Sequence, residues 1–365
     1  MGLSLQHVDK LVGRQIHLKE INIEFENGSR NIILGRTLAG KTSLLRIMAG
    51  LDKPSRGKIL IDGKDFTGVS VRRRNVAMVY QQFINYPSLT VYDNIASPLK
   101  MSGWKKPEID KQVRRTAEIL HIEKLLDRLP AELSGGQQQR TAIARALVKE
   151  TKLLLLDEPL VNLDYKLREE LRSELQDIFR QREAIVVYTT TEPTEALMLG
   201  GNVVVIDEGR VLQTGPTAQV YHHPATLKVA EIFSDPPINY LPGVVDGGGM
   251  RFGDNIRIPL TAHFRNLRAG NYRIGIRSNH LFLSRRSGGD TEFKGHVELS
   301  EINGSETFTH LNHGGVSLVV QDEGVYPHKI GTEISVFVNP ETLFIYDDQG
   351  ALVASPGSGG HIRND

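Results

Sequence analysis

The chain contains no cysteine in its 365 residues, which excludes a disulfide framework and any thiolate-held metal. Net charge is almost absent as well, at +1. A domain that holds nucleic acid by bulk electrostatics is usually strongly basic, so small ligands and protein partners remain and nucleic acid does not. No apolar run approaches the ~20 residues needed to span a bilayer, and the chain opens without a charged-then-apolar leader. If it works at a membrane, another subunit holds it there. Hydrophobic residues make up 39% and charged residues 24%, the values of a globular protein, and the length suggests two domains with buried cores.

What is present centres on Gly35-Arg36-Thr37-Leu38-Ala39-Gly40-Lys41-Thr42, which fits the phosphate-cradling pattern G-x-x-x-x-G-K-[ST] without a mismatch. The apolar run Asn31 to Leu34 precedes it, and Ser43 to Gly50 follows with Leu44, Leu45, Ile47 and Met48 at helical spacing. Strand, glycine loop and helix thus come in the order a phosphate site needs. Glycines let the backbone approach the anion, several N–H groups and the positive helix end meet it, and Lys41 adds a full charge. Thr42 offers a hydroxyl to Mg2+.

Two further stretches carry chemistry. In Leu133-Ser134-Gly135-Gly136-Gln137-Gln138-Gln139-Arg140, Ser134 can cap the helix that follows, and two glycines leave N–H groups bare at its positive end. One triphosphate does not need two such termini in one chain, which suggests that each serves a different copy across a dimer. Leu153 to Leu156 is an unbroken apolar run ending in Asp157-Glu158-Pro159. A short, wholly apolar strand is one buried on both faces, as in a parallel sheet. Acids at its carboxyl end stand where open α/β sheets place their chemistry: Asp157 to hold Mg2+, Glu158 to orient and deprotonate a water.

Around these, strands are expected at 3–8, 16–25, 57–62 and 76–80, a helical stretch from 91 to 149, strands at 185–190 and 202–214, and a last helix at 221–233. Arg72, Arg73 and Arg74 are expected in a solvated turn. Ser234-Asp235-Pro236-Pro237 marks a boundary, after which short alternating strands between turn residues suggest a small, OB-like β-barrel. Residues 356–365 read as a loose tail.

The ordered set GRTLAGKT, Gln81, LSGGQQQR, LLLLDEP and Leu163-Asp164 resembles the ATPase subunit of ATP-binding cassette (ABC) transporters. The resemblance implies an α/β P-loop domain over residues 1–235, with a helical subdomain at about 88–150, and a β regulatory domain over 236–365. It also implies ATP and Mg2+ as cofactors. Gly35 to Thr42 and Ser43 then bind phosphates, and Thr42, Gln81 and Asp157 surround the metal. Glu158 is the general base, Gln81 senses the γ-phosphate, and Ser134, Gly135, Gly136 and Gln137 contact the nucleotide of the opposite subunit. Asp164 lies at that dimer interface.

Gly275 to Leu281 and Glu301 to Glu306 are similar to the regulatory domain of sugar and polyol importer ATPases. Ile84 to Leu89 resembles their docking segment for a membrane subunit, and the run 190–197 together with Val79 to Leu89 resembles the ATPases of bacterial glycerol importers. Implied partners are permease subunits docking near Gln82–Leu89, a second ATPase subunit, like or unlike, and indirectly a solute-binding protein. Implied location is the cytoplasmic face of the inner membrane.

Two positions depart from the family. Thr191 stands where a switch histidine is usual and cannot carry positive charge near neutral pH. Val12 stands where an aromatic usually stacks on adenine, leaving His17 as a possible substitute. Two readings therefore stay open: an importer ATPase that hydrolyses ATP, and a subunit that binds ATP while hydrolysis falls mainly to a partner. A soluble cassette ATPase of repair or translation would normally carry tandem cassettes or a coiled-coil insertion, and neither is seen.

Overall fold

The computed structural model describes residues 2–82, 84–161, 163–253 and 256–357. Contacts divide the chain into two compact units, Met1–Thr217 and Ala218–Asp365. The tail expected at 356–365 lies, from residue 358 onward, outside the described residues.

The first unit is built on a six-stranded sheet: β3 (Arg30–Leu34), β6 (Val76–Val79), β7 (Leu153–Asp157), β8 (Ile185–Thr190), β9 (Asn202–Asp207) and β10 (Arg210–Pro216), in spatial order β10-β9-β3-β8-β7-β6. All neighbours pair in parallel except β9 and β10, a hairpin that turns at Glu208-Gly209. Every residue of β7 and β8 is buried, because helices and a second sheet cover both faces. That sheet holds β1 (Leu3–Val12), β2 (Gln15–Phe25), β4 (Arg56–Ile61) and β5 (Lys64–Asp65), all antiparallel. Its inward residues Leu5, Leu18 and Ile59 share one core with Leu44 and Met48 of α1 (Lys41–Ala49) and with Leu155 of β7.

The helical insertion is α2 (Val91–Met101), α3 (Lys106–Ile119) and α4 (Gly135–Leu147). Helical spacing puts Ile109, Val113, Thr116 and Ala117 on one face of α3, and that face is the buried one. Helix α5 (Tyr165–Arg180) links β7 to β8, and the short α6 (Pro193–Leu199) links β8 to β9.

Arg74 corrects the expectation of a solvated arginine turn. It is buried and donates to the carbonyls of Ile47 and Met48, at 3.2 and 2.7 Å, and to those of Val69 and Phe66. The C-terminal carbonyls of α1 lack intrahelical donors, and this guanidinium supplies them.

The division falls after the first residue of α7 (Thr217–His222), so the second unit begins with the rest of that helix and α8 (Leu227–Ile232). Sequence periodicity reads one helix over 221–233; the structure breaks it at Pro224, which has no N–H to continue the ladder, and Thr226 caps the restart by accepting from the Val229 N–H. Leu227 and Ala230 pack on Ile238, Phe344 and Tyr346, so this segment makes its contacts with the β-domain that follows it. Two antiparallel sheets, of six and five strands, wrap one core in a barrel-like way, with Leu241, Phe252 and Ile274 from one meeting Val297, Leu311 and Val336 from the other. Arg277 is buried among carbonyls, donating to Phe233 O, Tyr221 O and Ser234 Oγ while stacking on the Tyr221 ring.

Candidate functional site

The carboxyl ends of β3, β6, β7 and β8 lie along one edge of the parallel sheet, where a ligand meets loop backbone and helix termini. After β3 the chain turns through residues 35–40 into α1. A Cβ on Gly35 would stand 2.4 Å from Ile206 O, and Gly40 has φ +104° with His17 O 2.7 Å from where a Cβ would be. Only glycine fits at either place. Leu38, at the loop tip, is 96% exposed. Lys41 is buried at 4% exposure; its Nζ donates to the carbonyls of Gly35 and Arg36 at 2.8 and 2.9 Å and lies 3.1 Å from Glu158 Oε1.

At the end of β7, the parallel register sets Asp157 beside Thr189 of β8. Asp157 is buried and its Oδ1 accepts from two hydroxyls, Thr42 Oγ1 at 3.1 Å and Thr189 Oγ1 at 3.0 Å. Burial raises its carboxyl pKa from the ordinary value, and the Thr42 and Thr189 hydroxyls oppose that shift. Glu158 adopts φ +43°, its N–H donates to Thr189 Oγ1 at 3.0 Å, and its Oε2 accepts from Gln81 Nε2 at 3.2 Å. Lys41 and Thr42, Gln81, and Asp157 and Glu158, from three separate stretches of the sequence, therefore converge. The uncharged and carboxylate oxygens of Thr42, Gln81 and Asp157 are the hard donors Mg2+ prefers, so the residues fit that ion.

The second glycine-rich segment begins α4. Ser134 Oγ accepts from the Gln137 N–H at 3.4 Å while Gln137 Oε1 accepts from the Ser134 N–H at 3.1 Å, a reciprocal cap. A Cβ on Gly135 would meet open space, whereas one on Gly136 would come within 2.0 Å of Leu167 Cδ2. Gly136→Ala should accordingly push the half-buried Leu167 side chain off its rotamer and lower stability by at most about 1 kcal/mol, read as a small fall in melting temperature that Gly135→Ala does not share. Asp164 caps α5 by accepting from the Leu167 N–H at 2.9 Å.

Thr191 lies half-buried in the turn from β8 to α6. Sequence reasoning passed over its neighbours: Tyr188 OH and Thr190 Oγ1 donate to the buried Glu195 carboxylate at 3.1 and 2.6 Å, and Glu192 pairs with Arg168 at 2.9 Å. Val12 stands 49% exposed on the β1–β2 hairpin with Leu11 and Ile16 exposed beside it. His17 is brought instead to the first turn of α1, its Nδ1 3.1 Å from Ser43 Oγ. Among the described residues no helix is long and apolar enough to cross a membrane.

The pattern of the ABC transporter family matches residues 18–161. The chain is 38% identical over 362 residues to the trehalose/maltose import ATP-binding protein MalK of Thermococcus litoralis, covering 95% of this chain and 97% of that one. The chain belongs to the ABC transporter ATPase family. This ABC ATPase is also 37% identical over 323 residues to the sn-glycerol-3-phosphate import ATP-binding protein UgpC of Salmonella typhimurium, with coverage of 88% and 90%. Among solved structures it resembles a dimeric ATP-binding cassette in a post-hydrolysis state bound to ADP and Pi, at 29% identity and TM-score 0.54, covering 59% of this chain and 98% of that one. The family, the α/β P-loop fold with a β-domain after it, and the class of transport ATPase are thus those the motifs imply.

Proposed function

We propose that this ABC ATPase binds ATP with Mg2+ on the loop around Lys41 and hydrolyses it to drive uptake of a sugar or glycerol-related solute through partner membrane subunits. The observation that carries the reading is the convergence of Lys41, Thr42, Gln81, Asp157 and Glu158 on one sheet edge. Relatives named for import of trehalose and maltose and of sn-glycerol-3-phosphate supply the solute class.

Loop N–H groups and the N-terminus of α1 receive the phosphates. Lys41 exchanges Glu158 for the γ-phosphate, which frees the Glu158 carboxylate to orient a water and take its proton. Thr42 and Asp157 hold Mg2+, with Gln81 beside them; the ion supplies neutralisation of charge on the phosphates. Ser134, Gly135, Gly136 and Gln137 of a second ATPase subunit, like or unlike, close over the nucleotide, in keeping with the dimeric solved relative.

The protein acts at the cytoplasmic face of the inner membrane, held by permease subunits that receive solute from a binding protein. Their dock is the segment Gln82–Leu89, of which Phe83 lies outside the described residues. Ile84 and Tyr86 are about half exposed there, on a backbone pinned by Asn94, which bonds both Tyr86 N and Tyr86 O, and by Asn85 on Gln138 O.

A second reading rests on Thr191: ATP closes the pair here while hydrolysis falls mainly to an unlike partner subunit. One experiment separates the two. ATPase rate and subunit composition are measured on the complex purified from its native membrane, with Thr191→His alongside. In the first reading solute stimulates hydrolysis and Glu158 matters. In the second, restoring an imidazole raises turnover at this site by about tenfold, the difference between a charge-assisted and a neutral hydrogen bond. A complex that never hydrolyses ATP excludes both.

A further inference from the structure

Strand β8 carries a hydroxyl at the point where its apolar run meets the two acids. Thr189 is fully buried, and its Oγ1 has one proton to give and lone pairs to accept with. It gives the proton to Asp157 Oδ1 at 3.0 Å and accepts from the Glu158 N–H at 3.0 Å. Leu156 O is a more distant neighbour at 3.4 Å. A buried threonine that needed only to satisfy itself could settle on that carbonyl. This one instead bonds the side chain of one acid and the backbone of the next.

Both contacts matter to the site. Thr42 is the other hydroxyl on Asp157 Oδ1, but it is also placed to serve the metal, which leaves Thr189 as the side chain that can aim Asp157 once an ion is bound. Glu158 sits in the left-handed region, which is disfavoured for a non-glycine residue, so a fixed acceptor for its N–H helps keep the turn that presents its carboxylate. The flanking residues cannot stand in, because Tyr188 and Thr190 bond Glu195 instead.

We infer that Thr189 is a positioning residue of this ATPase, its hydroxyl aiming Asp157 at the metal and holding the backbone turn that presents Glu158. This rests on the metal and base roles proposed above. The test titrates Mn2+, as the probe, into the full-length protein with ADP and follows free Mn2+ by electron paramagnetic resonance. Thr189→Val removes the hydroxyl at nearly constant volume and should weaken Mn2+ binding roughly ten- to hundredfold, with metal-free ADP binding unchanged. Thr189→Ser, which restores the hydroxyl, should bind Mn2+ as the parent does. If the valine chain fails to bind ADP, Thr189→Ala makes the same comparison with a smaller side chain. Parent-like Mn2+ affinity without the hydroxyl, or a serine variant as weak as the valine one, overturns the inference. Asp157→Asn distinguishes the failures: unchanged Mn2+ binding there removes the metal assignment itself, whereas loss there with none at Thr189→Val removes only the role of Thr189.

Discussion

Glu158→Gln should lower ATP turnover by roughly 10²–10⁴-fold, the usual contribution of a positioned general base, while leaving nucleotide affinity close to that of the parent. The amide is isosteric and its oxygen can still accept from Lys41 or from Gln81, which stand 3.1 and 3.2 Å from the two carboxylate oxygens. Lys41 also keeps its bonds to Gly35 O and Arg36 O, so the loop stays in place. What the amide cannot do is take a proton from water. Steady-state phosphate release by the purified complex, beside equilibrium binding of a fluorescent ATP analogue, reads the two quantities separately. Turnover that survives the substitution would move the base away from Glu158.

The parts of this site that sequence reveals are those written in contiguous residues. Gly35 to Thr42 specifies strand, turn and helix in one run, and Ser134 announces a helix start before any packing is known. Asp157 and Glu158 are legible because an all-apolar strand must end somewhere useful. Thr189 is not legible in the same way. It is the last residue but one of β8, between Tyr188 and Thr190, and its value appears only when parallel register sets it beside Asp157. Tyr188 and Thr190 are hidden for the same reason, since strand alternation sends them to Glu195 and a sequence that is buried on both faces shows no alternation of polarity. Arg74 illustrates the converse: three adjacent arginines look alike in sequence, and the carbonyls at the end of α1 decide which one is drawn inside. In the second unit, turn residues foretold short strands, but their order in two sheets around one core depends on pairings far apart in the chain.

Lys41→Met should act on the other half of the same pair and give the opposite signature. Methionine keeps an unbranched chain of similar length and loses the charge and all three donors, so nucleotide affinity should fall roughly ten- to a hundredfold, the worth of a hydrogen bond to a charged group. Turnover should drop further, by about 10²–10³-fold, as for loss of one preorganised donor to transition-state charge. Isothermal titration with ATP and the hydrolysis assay check this together, and a variant that binds ATP as the parent does would take the phosphate away from Lys41. Without nucleotide, the variant also leaves Glu158, whose side chain is only 13% exposed, without its cation. Removing one partner of a buried pair is costly mainly because of the charge left behind. The double variant Lys41→Met with Glu158→Gln should therefore melt above Lys41→Met alone. That inversion, a second substitution at the site restoring stability, follows from the 3.1 Å contact and would not arise if the two side chains were independent.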